Sequence, residues 1–576
     1  MPVQSDDLPG LSSLIKATPP AIRSGGVLTR IMKCAAVVGS LLVAACGGGP
    51  DDSSRSESRL PVGGPSGTEL AEQQVIHIGN GAEPQTLDPH RAEGVPSSNI
   101  LRNLFEGLTL EAANGDVIPG AAESWEISDD ALLYTFHMRP DGRWSNGDPV
   151  TAADFEFGLR RSVDPKTLSY YASILGPIKN AEQIILGELP AEALGVEAVD
   201  DLTLVIRLNG PTPYLPGLLN HNVAYPVHAG SVEKYGNRFA RPGNLVGNGA
   251  YVLDEWVVQD YIKLVRNRNY RDDAKSHIEE AYFYPTENQD AELKRFRAGE
   301  FDVTEQVPYQ QLDWIRKNLG DDLVIAPYLG SYYFGYNVTR PPFKDNAPLR
   351  KALAMVIDRE IITERITGAG EIPAYGWVPP VTGYTGQQVE WASWTQEERN
   401  AEAQRLYAEA GYSEENPLSV EILYNTNENH KRLSVAIASM WKQTLGVEAT
   451  LVNQEWKVFL ETRRRKETTE VFRAGWIGDY NDAFTFSQLR YSRNEMNHSG
   501  YASPAYDALL ERAAMESDPV ARAKVMEESE RLLLADMPVI PLYFYVSKHL
   551  VKPWVGGRQT NIMDHHHLKD FYILKH

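Results

Sequence analysis

An aspartate on a turn behind a tryptophan and a glycine can serve as a cation holder. The run Arg473-Ala474-Gly475-Trp476-Ile477-Gly478-Asp479-Tyr480-Asn481-Asp482 has that arrangement. A carboxylate buried beside such neighbours is costly unless paired, so Asp479 has either an internal arginine partner or a cationic ligand to await. Other patterns carry less chemistry. Ser231-Val232-Glu233-Lys234 has the Ser-x-x-Lys spacing of an acylating serine, but the Lys-Thr-Gly and Ser-Asp-Asn partners are absent. His565-His566-His567 groups three imidazoles near the C-terminus with Asp564 as the neighbouring acid, and a packed or solvated segment is expected there rather than a metal site. Val246-Gly247-Asn248-Gly249-Ala250 lacks a phosphate-loop pattern and reads as a turn before a strand. The sequence contains no His-Glu-x-x-His, Walker or Gly-x-Ser-x-Gly motif. No catalytic residue, metal or cofactor is therefore expected.

The chain that must position Asp479 has 576 residues, more than one core serves, so two or three lobes are expected. A net charge of −21 opposes nucleic acid, whose phosphates call for basic patches, and broad adhesion to anionic lipid. Strand and helix patterns interleave. Val75–Gly79 reads as a strand, and Leu132, Tyr134, Phe136 and Met138 alternate as one apolar strand face. Turns follow at Pro140-Asp141-Gly142 and Asn146-Gly147-Asp148-Pro149. Thr151 with Asp154 three residues on predicts a helix start, and Phe155 and Leu159 share its face. Leu293 and Phe296 mark a helix that Gly299 stops, and Phe301–Val303 resumes as a strand. Asn346 and Pro348 open a helix with Leu349, Leu353, Val356 and Ile357 on one face. The class is α/β. The 28 tyrosines and 11 tryptophans cluster at Tyr332-Tyr333-Phe334, at Trp476 with Tyr480, and at Tyr543-Phe544-Tyr545. Such clusters in loops or strand ends suit an aromatic-lined cleft as well as core packing.

The N-terminus has its own logic. Arg23, Arg30 and Lys33 precede the apolar run Cys34–Ala45, which is too short to span a bilayer but suits a signal-peptide core. The run ends Val43-Ala44-Ala45-Cys46, similar to a bacterial lipobox whose cysteine is acylated. Residues 1–45 are therefore expected to be a signal peptide, its start over-extended because Asp6, Asp7 and four prolines suit no signal. Residues 46–73 are expected to be a lipidated Cys46 and a flexible tether rich in Gly, Ser, Asp and Pro. Cys34 and Cys46 are the only cysteines, so no disulfide or cysteine–metal site follows them.

Ordered blocks then carry a family resemblance. They include Glu83-Pro-Gln-Thr-Leu-Asp-Pro-His90, Glu93-Gly-Val-Pro96, Leu104-Phe-Glu-Gly107 and Ala122-Glu-Ser-Trp125. Tyr134–Arg139, Trp144–Gly147 and Ala153–Phe155 follow, then Asn453–Trp456, Arg473–Trp476, Asp479–Asn481 and Val551–Gly557. The chain resembles the oligopeptide-binding proteins of solute-binding family 5, from about Val75 to His576. The resemblance implies an α/β, two-lobed periplasmic binding protein of the class II, Venus-flytrap type with an additional domain on the first lobe. It implies a discontinuous lobe I (74–105, 229–329 and 547–576), an additional domain II (106–228) and a lobe III (330–546). It implies a non-enzymatic receptor, expected to be monomeric. The receptor would capture peptides of about 3–5 residues with little sequence preference and pass them to ABC importer permease subunits. It would lie in the periplasm, held to the membrane only through Cys46.

The resemblance also implies residue roles. Asp479 matches the position that pairs with the peptide α-ammonium. Arg473 and His430 match positions that meet the peptide carboxylate, a task for which arginine's planar fork is suited. Glu93, Tyr171, Tyr333, Trp456, Trp476 and Tyr545 match pocket or backbone-contacting positions. The chain departs from the pattern at Gly330 and Ile477, where close relatives carry a cysteine pair. It departs at Gly335, which replaces a pocket acid, and at Thr367, which replaces a lysine used with the shortest ligands. A murein tripeptide receptor is the sibling alternative. A peptidase and a chaperone-like binder are the alternatives from other classes, and neither has a supporting motif.

Overall fold

The structure, a computed structural model, describes residues 67–467 and 469–576. The signal peptide, its start and Cys46 lie outside the described residues. The end of the expected tether is pinned rather than free. Leu70 bridges Leu574, and the Ala71 N–H donates to the Ile573 carbonyl at 2.8 Å. Composition marks 67–73 as linker, but a pairing partner some 500 residues away in sequence holds it.

Three sheets of four or six strands, beside two two-stranded ones, organise the described chain. The first has four strands: Val75–Gly79 lies parallel to Glu280–Tyr284, followed by Tyr261–Arg266 and Tyr251–Val257. The second is antiparallel, ordered Ala122–Ile127, Leu133–Met138, Thr203–Arg207, Val196–Asp200. The predicted alternation holds in it: Tyr134, Phe136 and Met138 are buried while Thr135 and His137 are half-buried. The helix Ala152–Val163 contributes Phe155 and Leu159 to the same core, and Asp154 fixes its start by accepting from the Thr151 N–H at 2.8 Å.

The third sheet has six strands in the order Ile372–Pro373, Val539–Leu550, Leu323–Tyr336, Val471–Ile477, Ser419–Asn425, Glu448–Gln454. Two of these strands are long, 14 residues for Leu323–Tyr336 and 12 for Val539–Leu550, and they pair antiparallel. The boundaries expected at 329/330 and 546/547 fall inside them, so both strands are shared between segments. The clusters Tyr332–Phe334 and Tyr543–Tyr545 lie within these strands, not in loops. Phe301–Val303 is no regular strand. Val303 instead bridges Ile78 on one side and Val551 on the other, tying the first sheet to the end of the long strand. The helices Gln289–Arg297 and Leu312–Asn318 close a small second core there with Leu293, Phe296, Phe301, Ile315 and Leu550.

One buried ion pair fastens the third sheet beside this junction. Lys548 donates to Glu371 at 2.7 Å, with side-chain exposures of 8% and 0%. The hydroxyl of Thr367 and the N–H of Ala369 donate to the other carboxylate oxygen at 2.7 and 3.0 Å. Burial would raise the Glu371 pKa, but Lys548 and Thr367 outweigh it and hold the carboxyl below its ordinary range. The pair therefore stabilises the fold above the ordinary carboxyl range and loses its effect as pH falls through the depressed pKa. Glu371→Gln leaves a buried ammonium without a counter-charge and is expected to cost about 3 kcal/mol or more. The check is the urea midpoint of the purified protein at pH 7; an unchanged midpoint would show the pair to be dispensable.

Candidate functional site

A cavity of about 270 Å³ opens between the three sheets. The first sheet's side supplies Asn80, Glu93 and Asn99, and the second supplies Tyr171 and His221. The third supplies His430, Trp456, Arg473, Trp476 and Asp479, while Tyr333 and Tyr545 come from the long strands. All nine residues singled out from the sequence line this one space.

Asp479 sits on the turn after the Val471–Ile477 strand. Thr485 organises the turn, accepting from the Asp479 N–H at 3.0 Å and from the Trp476 indole at 3.3 Å, and donating to the Asp479 carboxylate at 3.2 Å. The nearby Asp482 is neutralised by Arg522 through two bonds of 2.9 Å. Asp479 has no such partner. Its nearest cationic candidate is His221, whose Nε2 lies 3.5 Å from the carboxylate. Burial, helped by His565 and Arg102, lowers the His221 pKa to about 3, so the ring is neutral and supplies no counter-charge. Its Nδ1 accepts from the Val223 N–H at 3.3 Å, which leaves the proton on Nε2, facing Asp479. Burial pushes the Asp479 carboxyl up to about 8, against the opposing hydrogen bond from Thr485. The Tyr171 ring stacks between His221 and Trp476, at 5.1 and 5.9 Å, and forms one wall of this end.

Arg473 lies on the same strand. Roughly 20 Å of chain separates it from Asp479 at the rise of extended backbone. Its guanidinium lies 4.8 Å from the Tyr332 ring centroid and donates to Asn425 at 3.3 Å and Tyr545 at 3.1 Å. These partners are neutral, Nε has none, and no carboxylate among the described residues pairs with it. His430 stands in the first turn of the Glu428–Leu445 helix, buried, with Nδ1 3.3 Å from the Tyr332 hydroxyl. Burial and then Arg473 hold its pKa well below the usual histidine range, so it offers a neutral hydrogen bond rather than charge.

Glu93 lines the cavity, and its carboxylate pairs with Arg463 at 3.0 Å and Arg464 at 2.7 Å, both on the Trp456–Arg465 helix. The acid closes the cavity by tying opposite walls together. Trp456 packs across the same gap against Gly94, where an added Cβ would come within 2.8 Å of the indole. Gly330 and Ile477 are register partners across two strands, so the expected cysteine-pair positions do face each other. Gly335 faces the Phe472 ring and is not among the lining residues; an acid there would displace that ring. Thr367 is also outside the lining, its hydroxyl committed to Glu371.

The remaining motifs are structural. Ser231 and His228 cap the Ala229–Tyr235 helix, His228 Nδ1 accepting the Ser231 N–H. His565 pairs with Glu111 at 2.5 Å, His566 with Asp564 at 2.9 Å, and His567 with the Arg102 carbonyl at 3.2 Å. His221, Thr485, Arg463 and Arg464 were not picked out from sequence. None stands in a motif, and each acts through a partner distant in the chain or exposed only by the turn's geometry.

A family model described as bacterial extracellular solute-binding proteins, family 5 middle, matches residues 116–498. The periplasmic oligopeptide-binding protein OppA of Escherichia coli K12 is 43% identical over 517 residues, covering 89% of this chain and 95% of the relative. The crystal structure of Haemophilus influenzae OppA in complex with RPPGFSPFR aligns with TM-score 0.86 at 41% identity, over 88% of this chain and 100% of that one. The murein tripeptide binding protein MppA in its unliganded open form aligns with TM-score 0.64 at 40% identity, over 89% and 99%. Identity is nearly equal in the two, so conformation separates the scores, and this chain has the arrangement of the peptide complex rather than of the open form. With this two-lobed α/β fold, the chain belongs to the bacterial extracellular solute-binding proteins of family 5.

Proposed function

We propose that this chain is the substrate-binding lipoprotein of an oligopeptide ABC importer. It captures peptides of about 3–5 residues in the periplasm and delivers them to the permease subunits. One observation supports the reading: a single cavity presents an acid and a cation, Asp479 and Arg473, with no internal ionic partner for either. An extended peptide advances about 3.3–3.6 Å per residue. A few residues, with the arginine side chain reaching inward, bridge an α-ammonium at Asp479 and a carboxylate at Arg473. Every peptide has both ends, so this anchoring gives affinity without reading sequence. The aromatic walls of Tyr171, Trp456, Trp476, Tyr333 and Tyr545 supply area, and their polar tips can bond to backbone. Glu93 with Arg463 and Arg464 holds the lobes shut. The protein is a monomer without catalytic groups, anchored through Cys46; that part rests on Val43-Ala44-Ala45-Cys46 and the tether composition. A second reading, a receptor for murein tripeptide, draws on the likeness to MppA. Competition between murein tripeptide and trialanine separates the two.

Removing the charge at Asp479 leaves the ligand ammonium buried and unpaired. Asp479→Asn is expected to weaken trialanine by about 100-fold or more, while Nα-acetyl-trialanine binds both proteins equally weakly. Calorimetry on refolded, peptide-free protein measures this, and equal trialanine affinity in the two proteins would exclude the ammonium role. Ligand length gives a second check. Without a lysine at Thr367, dialanine is expected to bind at least about tenfold more weakly than tri- or tetraalanine, because its carboxylate falls short of Arg473. Comparable affinities for all three would contradict it.

Protonation gives a third check. In the empty closed cavity the Asp479 pKa is raised to about 8, and on opening to water it returns toward about 4. A raised acid pKa means that protonation favours the closed form: the gain is full below the solvent-exposed pKa and is lost as pH rises through 8. The empty protein is expected to become more compact in small-angle scattering between pH 8.5 and 5, less steeply in Asp479→Asn. No change in the wild type would count against the coupling.

A further inference from the structure

One short segment on the opposite side of the cavity grips the turn that presents Asp479. Residues 214–221 belong to the second-sheet side. The Tyr134 hydroxyl, on a strand of that sheet, donates to the Thr212 carbonyl at 3.2 Å, and the Thr109 hydroxyl donates to the Pro216 carbonyl at 2.5 Å. Leu215 and Leu218 of the short helix Leu215–Leu218, and Leu219 after it, are fully buried in the core. Tyr214, Gly217 and His221, three and four residues apart, turn instead to the Asp479 loop. The Tyr214 ring lies parallel to the Tyr480 ring, with centroids 4.6 Å apart and planes inclined by 5°, and its centroid is 5.7 Å from that of Phe484. A Cβ added to Gly217 would touch the Tyr480 Cβ at 3.4 Å. His221 Nε2 lies 3.5 Å from the Asp479 carboxylate. Arg522, which neutralises Asp482 on the same turn, places its guanidinium 4.9 Å from the Tyr214 ring centroid. Tyr480 is buried, and Tyr214 covers one face of its ring.

We propose that Tyr214 is a positioning residue for Asp479. The proposal rests on the peptide reading and adds to it the group that sets the ammonium end. Thr485 orders the turn from within the same stretch of chain, wherever the walls stand. Tyr214 comes from the other wall, so its stack forms only when the cavity shuts. It fixes Tyr480, the residue bonded to Asp479, while His221 on the same segment faces the carboxylate. Closure thereby sets the distance and direction at which the carboxylate meets a ligand ammonium, and the stack adds its own attraction to the shut form. A charge-assisted hydrogen bond weakens steeply with misalignment. A loose turn would therefore lose affinity for the ammonium while keeping its acid.

A double-mutant cycle tests this. Trialanine affinity is measured by calorimetry on refolded, peptide-free wild type, Tyr214→Ala, Asp479→Asn and the double variant, with Tyr214→Phe as the conservative control. Tyr214→Ala is expected to weaken trialanine by about tenfold. With Asp479→Asn already in place, the same substitution is expected to cost less than about twofold, because the carboxylate that Tyr214 positions is gone. Tyr214→Phe keeps the ring and is expected to bind within about twofold of wild type. Tyr214→Leu keeps apolar bulk without a flat face and carries the same expectation as Tyr214→Ala if the alanine variant does not fold. An equal loss with and without the Asp479 carboxylate would overturn the positioning role, and so would no loss at all; either leaves the peptide reading standing. A wild-type protein that ignores trialanine would overturn the peptide reading and the proposal with it.

Discussion

A buried charge that the protein leaves unpaired destabilises the conformation that buries it, and this cost organises the cavity. Asp482 is satisfied by Arg522, Glu93 by Arg463 and Arg464, and Glu371 by Lys548. Asp479 and Arg473 are half-buried with neutral partners only. Enclosing them costs free energy, met at Asp479 by taking up a proton, until an opposite charge arrives. A closed, empty cavity of this kind is therefore unfavourable at neutral pH, and in the proposed reading a zwitterionic ligand relieves both ends at once. In that reading, closure coupled to the ligand follows from the difference as a population shift.

The neutral histidines sharpen the same point. His221 and His430 each stand beside a charged group, and either would blunt the site if it were protonated. Burial keeps both neutral, so they orient Asp479 and the Arg473–Tyr332 group without neutralising anything. Thr485 acts likewise, spending its hydroxyl and its lone pairs on the turn that presents Asp479. Polar groups that carry no net charge can hold a charged group in place and still leave it available.

The frame around the cavity divides its labour. The two long antiparallel strands run through the third sheet and end at the bridge joining Val551, Val303 and Ile78. Their pairing, broken by irregular register between Pro327 and Ser331 and at Tyr332/Tyr333, makes a connection suited to a hinge. Contacts across the mouth, chiefly Glu93 with the arginines and Gly94 against Trp456, exist only while the walls are together. Those contacts belong to the closed arrangement, which agrees with the poorer match to an open relative.

The sequence by itself determined the α/β class, the turns, the helix start at Thr151, and the exclusion of cysteine and nucleic-acid chemistry. These depend on local periodicity, capping and composition. Its ordered blocks also pointed to the family and to nine residues that the fold gathers around one cavity. Only the tertiary structure decided which charges remain free. Asp479 and Asp482 look alike on one turn, and Arg522 forty positions later distinguishes them. Glu93 lines the cavity as expected, but only the fold pairs it with two arginines some 370 positions away. Residues 70–73 looked like tether until the C-terminal segment paired with them, and His221 carried no signal at all. Electrostatic pairing and burial depend on distance in space, which local sequence does not encode; periodicity depends on neighbours along the chain, which it does.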